Sequence, residues 1–391
     1  MSGRKAFAKA ITALALVALC GCSATFTSTD GPSASPVGGP TDGGIGPIPT
    51  MKQALPGIEA FVEQERGLKF KHPVKVKLLG DKAFVKQLDK GDSGPTQKDI
   101  DQFDSVALSL GLMSPKVDIA KAFKTAGDDG TDGFYDFKSK RLYIRGTRAT
   151  PGARAVLAHE LTHALTDQWF GLNRPKLDKT NDEQSDAFTA LIEGDAERTR
   201  IAYEHKVLTP AQRAAAEKEE NAGGRPPHVP LIVLELMGFP YAIGPQFVDA
   251  IVADGGIAAL NRAYRHPPVS SEQLIDPTAY EAHDNPKHLA TPASDGPRVD
   301  HGVLGEVGLL LMFEHGGLSR DQSQTATTGW GGDQYVSWHH GRGWCLRDSV
   351  VMDYGLAMSA FQQALKSWVA TRNGNAHIEQ LGDTTAFVTC S

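Results

Sequence analysis

Residues 150–171 constrain the fold more than any other stretch of the chain. Thr150 can cap free amide groups, Pro151 at the first helical position sacrifices no hydrogen bond, and Gly171 stands where a residue ending a helix belongs. The pattern predicts a helix running to about residue 170, and within it lies Ala158-His-Glu-Leu-Thr-His-Ala164. Residues four apart sit one turn apart on the same face, so His159 and His163 can aim ring nitrogens at one metal ion about 2.0 to 2.1 Å away. Glu160 lies beside them on the helix surface, near enough to take a proton from an attacking water without being a ligand. A second long helix is expected over residues 183–205, so the chain must pack a helix pair around this face.

An open zinc site uses three protein ligands, and an acid in the following helix would complete the set. Two candidates compete: Glu193, thirty residues after His163 in Leu191-Ile-Glu-Gly-Asp-Ala196, and Glu183, twenty residues after it. Spacing favours Glu183 and local sequence favours Glu193. Gly194 removes bulk beside the carboxylate and lets two helices approach closely, and Glu197, one turn on, can hydrogen-bond a ligating imidazole. Asp167, one turn beyond His163, is either a similar outer partner or a solvated acid.

The run His159-Glu-Leu-Thr-His-Ala-Leu-Thr-Asp-Gln168 followed by Glu193-Gly-Asp-Ala196 resembles the gluzincin metallopeptidases. In that group the H-E-x-x-H helix is followed by a helix whose Glu, often in an E-G-x-A setting, completes the zinc site. The likeness extends to bacterial lipoproteins sharing this motif pair; it covers residues 133–197, and more weakly Pro240-Tyr241 and residues 267–273. It implies one zinc per chain held by His159, His163 and Glu193, with Glu160 as general base. The long interval to Glu193 departs from the usual pattern. Gluzincins also steady the developing oxyanion with a downstream Tyr, His or Arg, which nominates Tyr241, flanked by Pro240 and Gly244, and His301.

Residues 1–21 have the layout of an export signal: a short basic start, an apolar stretch from Ala10 to Leu19 too short to span a bilayer, then Cys20-Gly21-Cys22. Leu19 and Gly21 before Cys22 resemble a bacterial lipobox, implying lipidation of Cys22 and an extracytoplasmic chain anchored to the membrane. Residues 22–50, dominated by Gly, Pro, Ser and Thr, read as a disordered tether. Export leaves Cys345 and Cys390 in an oxidising compartment, and a disulfide between them is expected.

The chain as a whole is globular by composition, with 40% hydrophobic residues. A formal charge of −6 with no polybasic run offers no footprint for nucleic acid. The fold class expected is α+β: a helix-rich zinc domain over residues 51–325 and a small disulfide-tied α+β subdomain over 326–391. A helix is expected over 58–66, a strand over 74–78, a helix over 98–111, a hairpin over 133–145, and helices from 210 and over 230–237, 245–253, 257–264 and 303–315. Strand pairs at 334–338 with 343–347 and at 377–379 with 386–390 flank a helix over 355–369. None of the helices reads as a membrane span, because Glu235, Pro240, Pro245 and Asp249 interrupt the apolar stretch of residues 229–252.

Three other motifs carry no chemistry. Gly91-Asp-Ser-Gly-Pro95 lacks a partner histidine motif, Asp128-Asp-Gly-Thr-Asp-Gly133 lacks calcium ligands at Gly130 and Ser139 and reads as a turn, and Gly331-Gly332 lacks a phosphate-binding frame. Three readings follow: an anchored zinc peptidase acting on a peptide or protein substrate, an inactive metal-binding or scaffold lipoprotein of the cell envelope, and a protein whose histidines bind no metal.

Overall fold

The computed structural model describes residues 17–19, 46–90, 95–177, 182–223, 226 and 228–391. Most of the export signal, Cys22, the tether before residue 46 and residues 91–94 of the Gly91 motif lie outside the described residues.

The architecture is α+β, with two sheets among the described residues. In the four-stranded sheet the order is β1 (Val17–Leu19), β3 (Thr131–Asp136), β4 (Arg141–Arg145) and β2 (Lys75–Leu79), with β3 and β4 forming the expected hairpin and β2 parallel to β4. In the five-stranded sheet the order is β5 (Arg298–Gly302), β6 (Trp330–His340), β7 (Gly343–Met352), β9 (Thr384–Cys390) and β8 (Ala376–Gln380), antiparallel throughout. The helices before the motif are α1 (Met51–Arg66), α2 (Asp81–Leu88), α3 (Gln97–Leu110) and α4 (Ile119–Gly130). The motif helix is α5 (Pro151–Phe170), followed by α6 (Asp182–Val207), α7 (Pro210–Glu220) and α8 (Leu231–Arg265). Then come α9 (Ser271–Ile275), α10 (Pro277–Glu281), α11 (Gly305–His315), α12 (Arg320–Thr327) and α13 (Gly355–Thr371).

Capping explains where several of these start. Thr150 accepts the amide of Ala153 with Pro151 in the first turn, and Gly171 closes α5 by donating to Asp167. Thr50, Thr96, Thr209 and Ser319 each form a capping box, which starts α1 seven residues before the apolar pattern becomes visible at Ile58. From Ala155 to Asp167 every residue of α5 is buried, so this helix is a core element wrapped on all sides.

Two large apolar cores result, beside two small clusters around Trp338 and around Phe84. One gathers α5, α6, the hairpin, α1 and the later part of α8; the other gathers α3, α4, the start of α8, α11, the five-stranded sheet and α13. β5 belongs to the five-stranded sheet and pairs with β6, so the C-terminal sheet reaches back beyond residue 326.

Three expectations are corrected. The separate helices over 230–237 and 245–253 form one continuous run in α8, whereas the expected break before 257–264 is present, because Gly255 and Gly256 leave helical geometry, the latter at φ 63°. Pro240 and Pro245 lie inside α8: each costs one backbone hydrogen bond, but apolar residues on both sides keep helical spacing and stay buried. α8 is thereby long and apolar enough to cross a membrane by length and composition, and half of its most apolar stretch is buried within the protein. Residues 128–133 are not a free turn, since Asp128 to Gly130 end α4 and Thr131 opens β3. Helices α2 and α4 had no counterpart in the periodicity reading.

Candidate metal centre

α5 and α6 bring three donor atoms together. His159 Nε2 lies 3.0 Å from His163 Nε2 and 3.1 Å from Glu193 Oε2, and His163 Nε2 lies 3.3 Å from the same oxygen. Two ligands each 2.0 to 2.1 Å from a tetrahedral ion stand about 3.3 Å apart, so the triangle has the size a zinc ion requires. Glu160 also offers a donor atom within 4.8 Å of the histidines, but Glu193 is nearer to both, which leaves Glu160 beside the triangle.

All four side chains are buried. Glu193 Oε1 and both carboxylate oxygens of Glu160 have no hydrogen-bond partner among the described residues, as a site for an ion and a water would require. Nδ1 of His159 and of His163, on the side of each ring away from the triangle, also lacks one.

The electrostatics favour a cation. Burial works against a charge on His159, and the carboxylates of Glu193 and Glu197 outweigh it, raising the ring to about 10. Burial also pushes Glu193 up, but His163 and His159 prevail and hold it below the usual carboxylate range. For Glu160 burial wins over both imidazoles and lifts it to about 7.

Glu197 stands beside the His159 ring, its Oε2 3.5 Å from Nδ1, a charge contact without the hydrogen bond expected from the sequence. Arg200 grips it with two bonds of 2.6 and 2.8 Å, and its charge, with that of His159, keeps the Glu197 carboxyl low against the effect of burial. Arg200 was missed at the sequence level, although its i,i+3 spacing from Glu197 was available as a signal. Asp167 does something different from what its position on α5 suggests. It accepts bonds from Tyr135 Oη, Lys140 Nζ and the Leu172 amide, so it ties α5 to the hairpin instead of to His163.

Glycines set the approach of the neighbours. A Cβ on Gly194 would fall 2.2 Å from the carbonyl carbon of Gly244, so α6 and α8 cross in backbone contact at this point. That crossing brings Tyr241, one turn before Gly244, over the site, its ring stacked on His159 at 6.2 Å. A Cβ on Gly133 would fall 2.6 Å from Val156 Cγ1 and 3.1 Å from Glu160 Cγ, so β3 runs directly against the Glu160 side chain.

Glu183 and His301 lie elsewhere. Glu183 accepts bonds from the Ser271 amide and hydroxyl at 2.6 and 3.0 Å, near Asp333 and Glu306, and burial raises it to about 8. His301 sits on β5 opposite Val336 of the five-stranded sheet. The disulfide Cys345–Cys390 is present and joins directly opposed residues of β7 and β9.

Comparison with known proteins bears on the C-terminal part alone. A family model described as a domain of unknown function, DUF8575, matches residues 292–389, from just before β5 to the end of β9. No curated protein and no solved structure matches the chain.

Proposed function

We propose that this chain is a zinc-dependent peptidase that hydrolyses peptide bonds outside the cytoplasm, anchored to the membrane through Cys22. The observation that carries the reading is the triangle of His159 Nε2, His163 Nε2 and Glu193 Oε2, 3.0 to 3.3 Å on a side, with Glu160 unpaired beside it. These three residues would hold the zinc, which when bound polarises a carbonyl and makes water a better nucleophile. Glu160, lifted by burial to about 7, accepts the proton of the attacking water and passes it to the leaving amine. Glu197, kept ionised by Arg200, lies 3.5 Å from His159 Nδ1, and its charge favours a proton on that ring. Tyr241, whose ring stacks on His159, would steady negative charge on the carbonyl oxygen.

The second reading, a metal-binding envelope protein without catalysis, is favoured by one observation: His159, His163, Glu160 and Glu193 are each at most 1% exposed. A closed site suits a structural ion, and a peptide would need Tyr241 or β3 to move before reaching Glu160.

Metal content by elemental mass spectrometry, with peptide hydrolysis measured alongside, separates these. One zinc per chain is expected in wild type, Glu183→Ala and Glu160→Gln, and a reduced amount in Glu193→Ala, with hydrolysis abolished in Glu160→Gln. Zinc without hydrolysis of any peptide mixture supports the second reading; no stoichiometric zinc in protein purified without chelator defeats both.

A further inference from the structure

Three consecutive residues of α6 face three different neighbours. Glu193 meets the histidines of α5, Gly194 meets the backbone of α8, and Asp195 meets Arg66 at the end of α1. Successive helix residues are about 100° apart around the axis, so these contacts hold α6 from three sides. The third is a buried ion pair: Arg66 Nε donates to Asp195 Oδ2 at 2.9 Å, and both side chains are 0% exposed. Tyr264 Oη donates to the same oxygen at 2.7 Å, and Arg66 NH2 donates to Asn261 Oδ1 at 3.1 Å, which ties α8 into the clamp.

We infer that Arg66 and Asp195 are positioning residues for the metal centre: their ion pair fixes the rotation of α6 and thereby the place of the Glu193 carboxylate. The inference rests on the metal-site reading above. The lever is short. A carboxylate about 6 Å from the helix axis moves about 1 Å for a 10° rotation, whereas metal–ligand distances tolerate about 0.2 Å. Fixing α6 by packing alone would leave that rotation to soft apolar contacts, while a hydrogen-bonded ion pair is directional. The pair also makes the metal centre depend on α1, the element that follows the tether.

Ordinary stabilisation has to be separated from positioning, because a buried ion pair replaced by apolar residues of similar size can keep or gain stability. The informative variant is therefore Arg66→Met with Asp195→Leu, compared with wild type and with Arg66→Lys in the full chain. Two readouts are taken once urea unfolding shows the double variant as stable as wild type. These are zinc affinity by competition with a chelator, and the ring nitrogen resonances of His159 and His163 in the metal-free protein. The expected result is zinc affinity weakened 10- to 100-fold, with the His159 resonances shifted as its 3.1 Å contact to Glu193 is lost. Arg66→Lys, which keeps the charge, is expected to fall between the two.

Wild-type affinity and unchanged resonances in the stable double variant would overturn the positioning role. If wild type binds no zinc, the metal reading fails by itself, and the imidazole resonances still decide whether the clamp places Glu193 against His159. Should the double variant not fold, Asp195→Asn, which removes the charge and keeps the shape, is read by the same two measurements against the same expectations.

Discussion

Adding one methyl group at Gly194 tests the α6–α8 crossing, because two effects of opposite sign meet there. Helix propensity alone makes Gly→Ala in a helix interior stabilising by about 1 kcal/mol. Against this, the new Cβ would lie 2.2 Å from the Gly244 carbonyl carbon and 2.3 Å from its oxygen. Heavy atoms in contact sit about 3.5 Å apart, so the helices must separate by about 1.3 Å. Both partners are backbone, which no side-chain rotation relieves, and the overpacking cost belongs at the upper end of the usual range, about 3 kcal/mol. The net expectation for Gly194→Ala is a loss of about 2 kcal/mol in urea unfolding, the overpacking less the propensity gain. A weaker zinc affinity should accompany it, since Glu193 and Tyr241 flank the crossing. Gly238→Ala on α8 is the control, because a Cβ there meets nothing within 4 Å and should be neutral or stabilising. Equal stabilisation by both substitutions would show that α6 and α8 are not in backbone contact, and the placement of Tyr241 over His159 would lose its basis.

Three further outcomes are expected. Burial and neighbouring acids lift Glu183 and Glu306 to about 8, and burial alone lifts Asp333 to about 6, so the folded chain keeps protons that the unfolded chain loses near its ordinary carboxylate values. Stability should therefore be greatest below about pH 4.5 for these groups and fall as pH rises toward 8; urea midpoints across that window should fall less steeply in Glu306→Gln, and equal slopes would refute the assignment. Replacing Cys345 and Cys390 with Ala removes a link between residues 45 apart and should cost about 2 to 4 kcal/mol; unfolding unchanged under non-reducing conditions would contradict it. Tyr241→Phe keeps the ring on His159 but removes the hydroxyl, so zinc content should hold while kcat falls about 100-fold, and an unchanged kcat would remove Tyr241 from the chemistry.

The motif helix was readable because its signals are local. Thr150, Pro151 and Gly171 act within a turn of themselves, and the histidine spacing is a property of one helix, so the extent of α5 followed directly. The choice between Glu193 and Glu183 was harder, because it depends on how two helices pack. Gly194 was one of the local hints for Glu193, and its contact with Gly244 shows why it was a good one. Asp167 misled because position on a helix face says nothing about a hairpin arriving from elsewhere, and Tyr135 and Lys140 claim its carboxylate. Arg66 gave no sign at all: an arginine in the last turn of an amphipathic helix reads as a solvated cation, and only the arrival of Asp195 from 129 residues away makes it a buried one. Pro240 and Pro245 read as breaks because proline rules are local, while the burial that overrides them is set by both cores; Gly255 and Gly256 do break the helix, as their sequence suggests.

That helix has a consequence for how the molecule comes apart. Ile232, Val233, Leu236 and Met237 near its start belong to one core, and Phe247, Val248 and Ile251, still before the break at Gly255, belong to the other. Neither core is complete without a part of the same rod, and the five-stranded sheet also needs α3, nearly two hundred residues earlier, to cover its apolar side. The two halves are therefore not modules that a cut in the sequence would release. Removing residues 292–389 as a unit would strip α3 and the first turns of α8 from the sheet, and the heat that melts one core withdraws the support of the other, so the chain gains its folding cooperativity from a single shared beam.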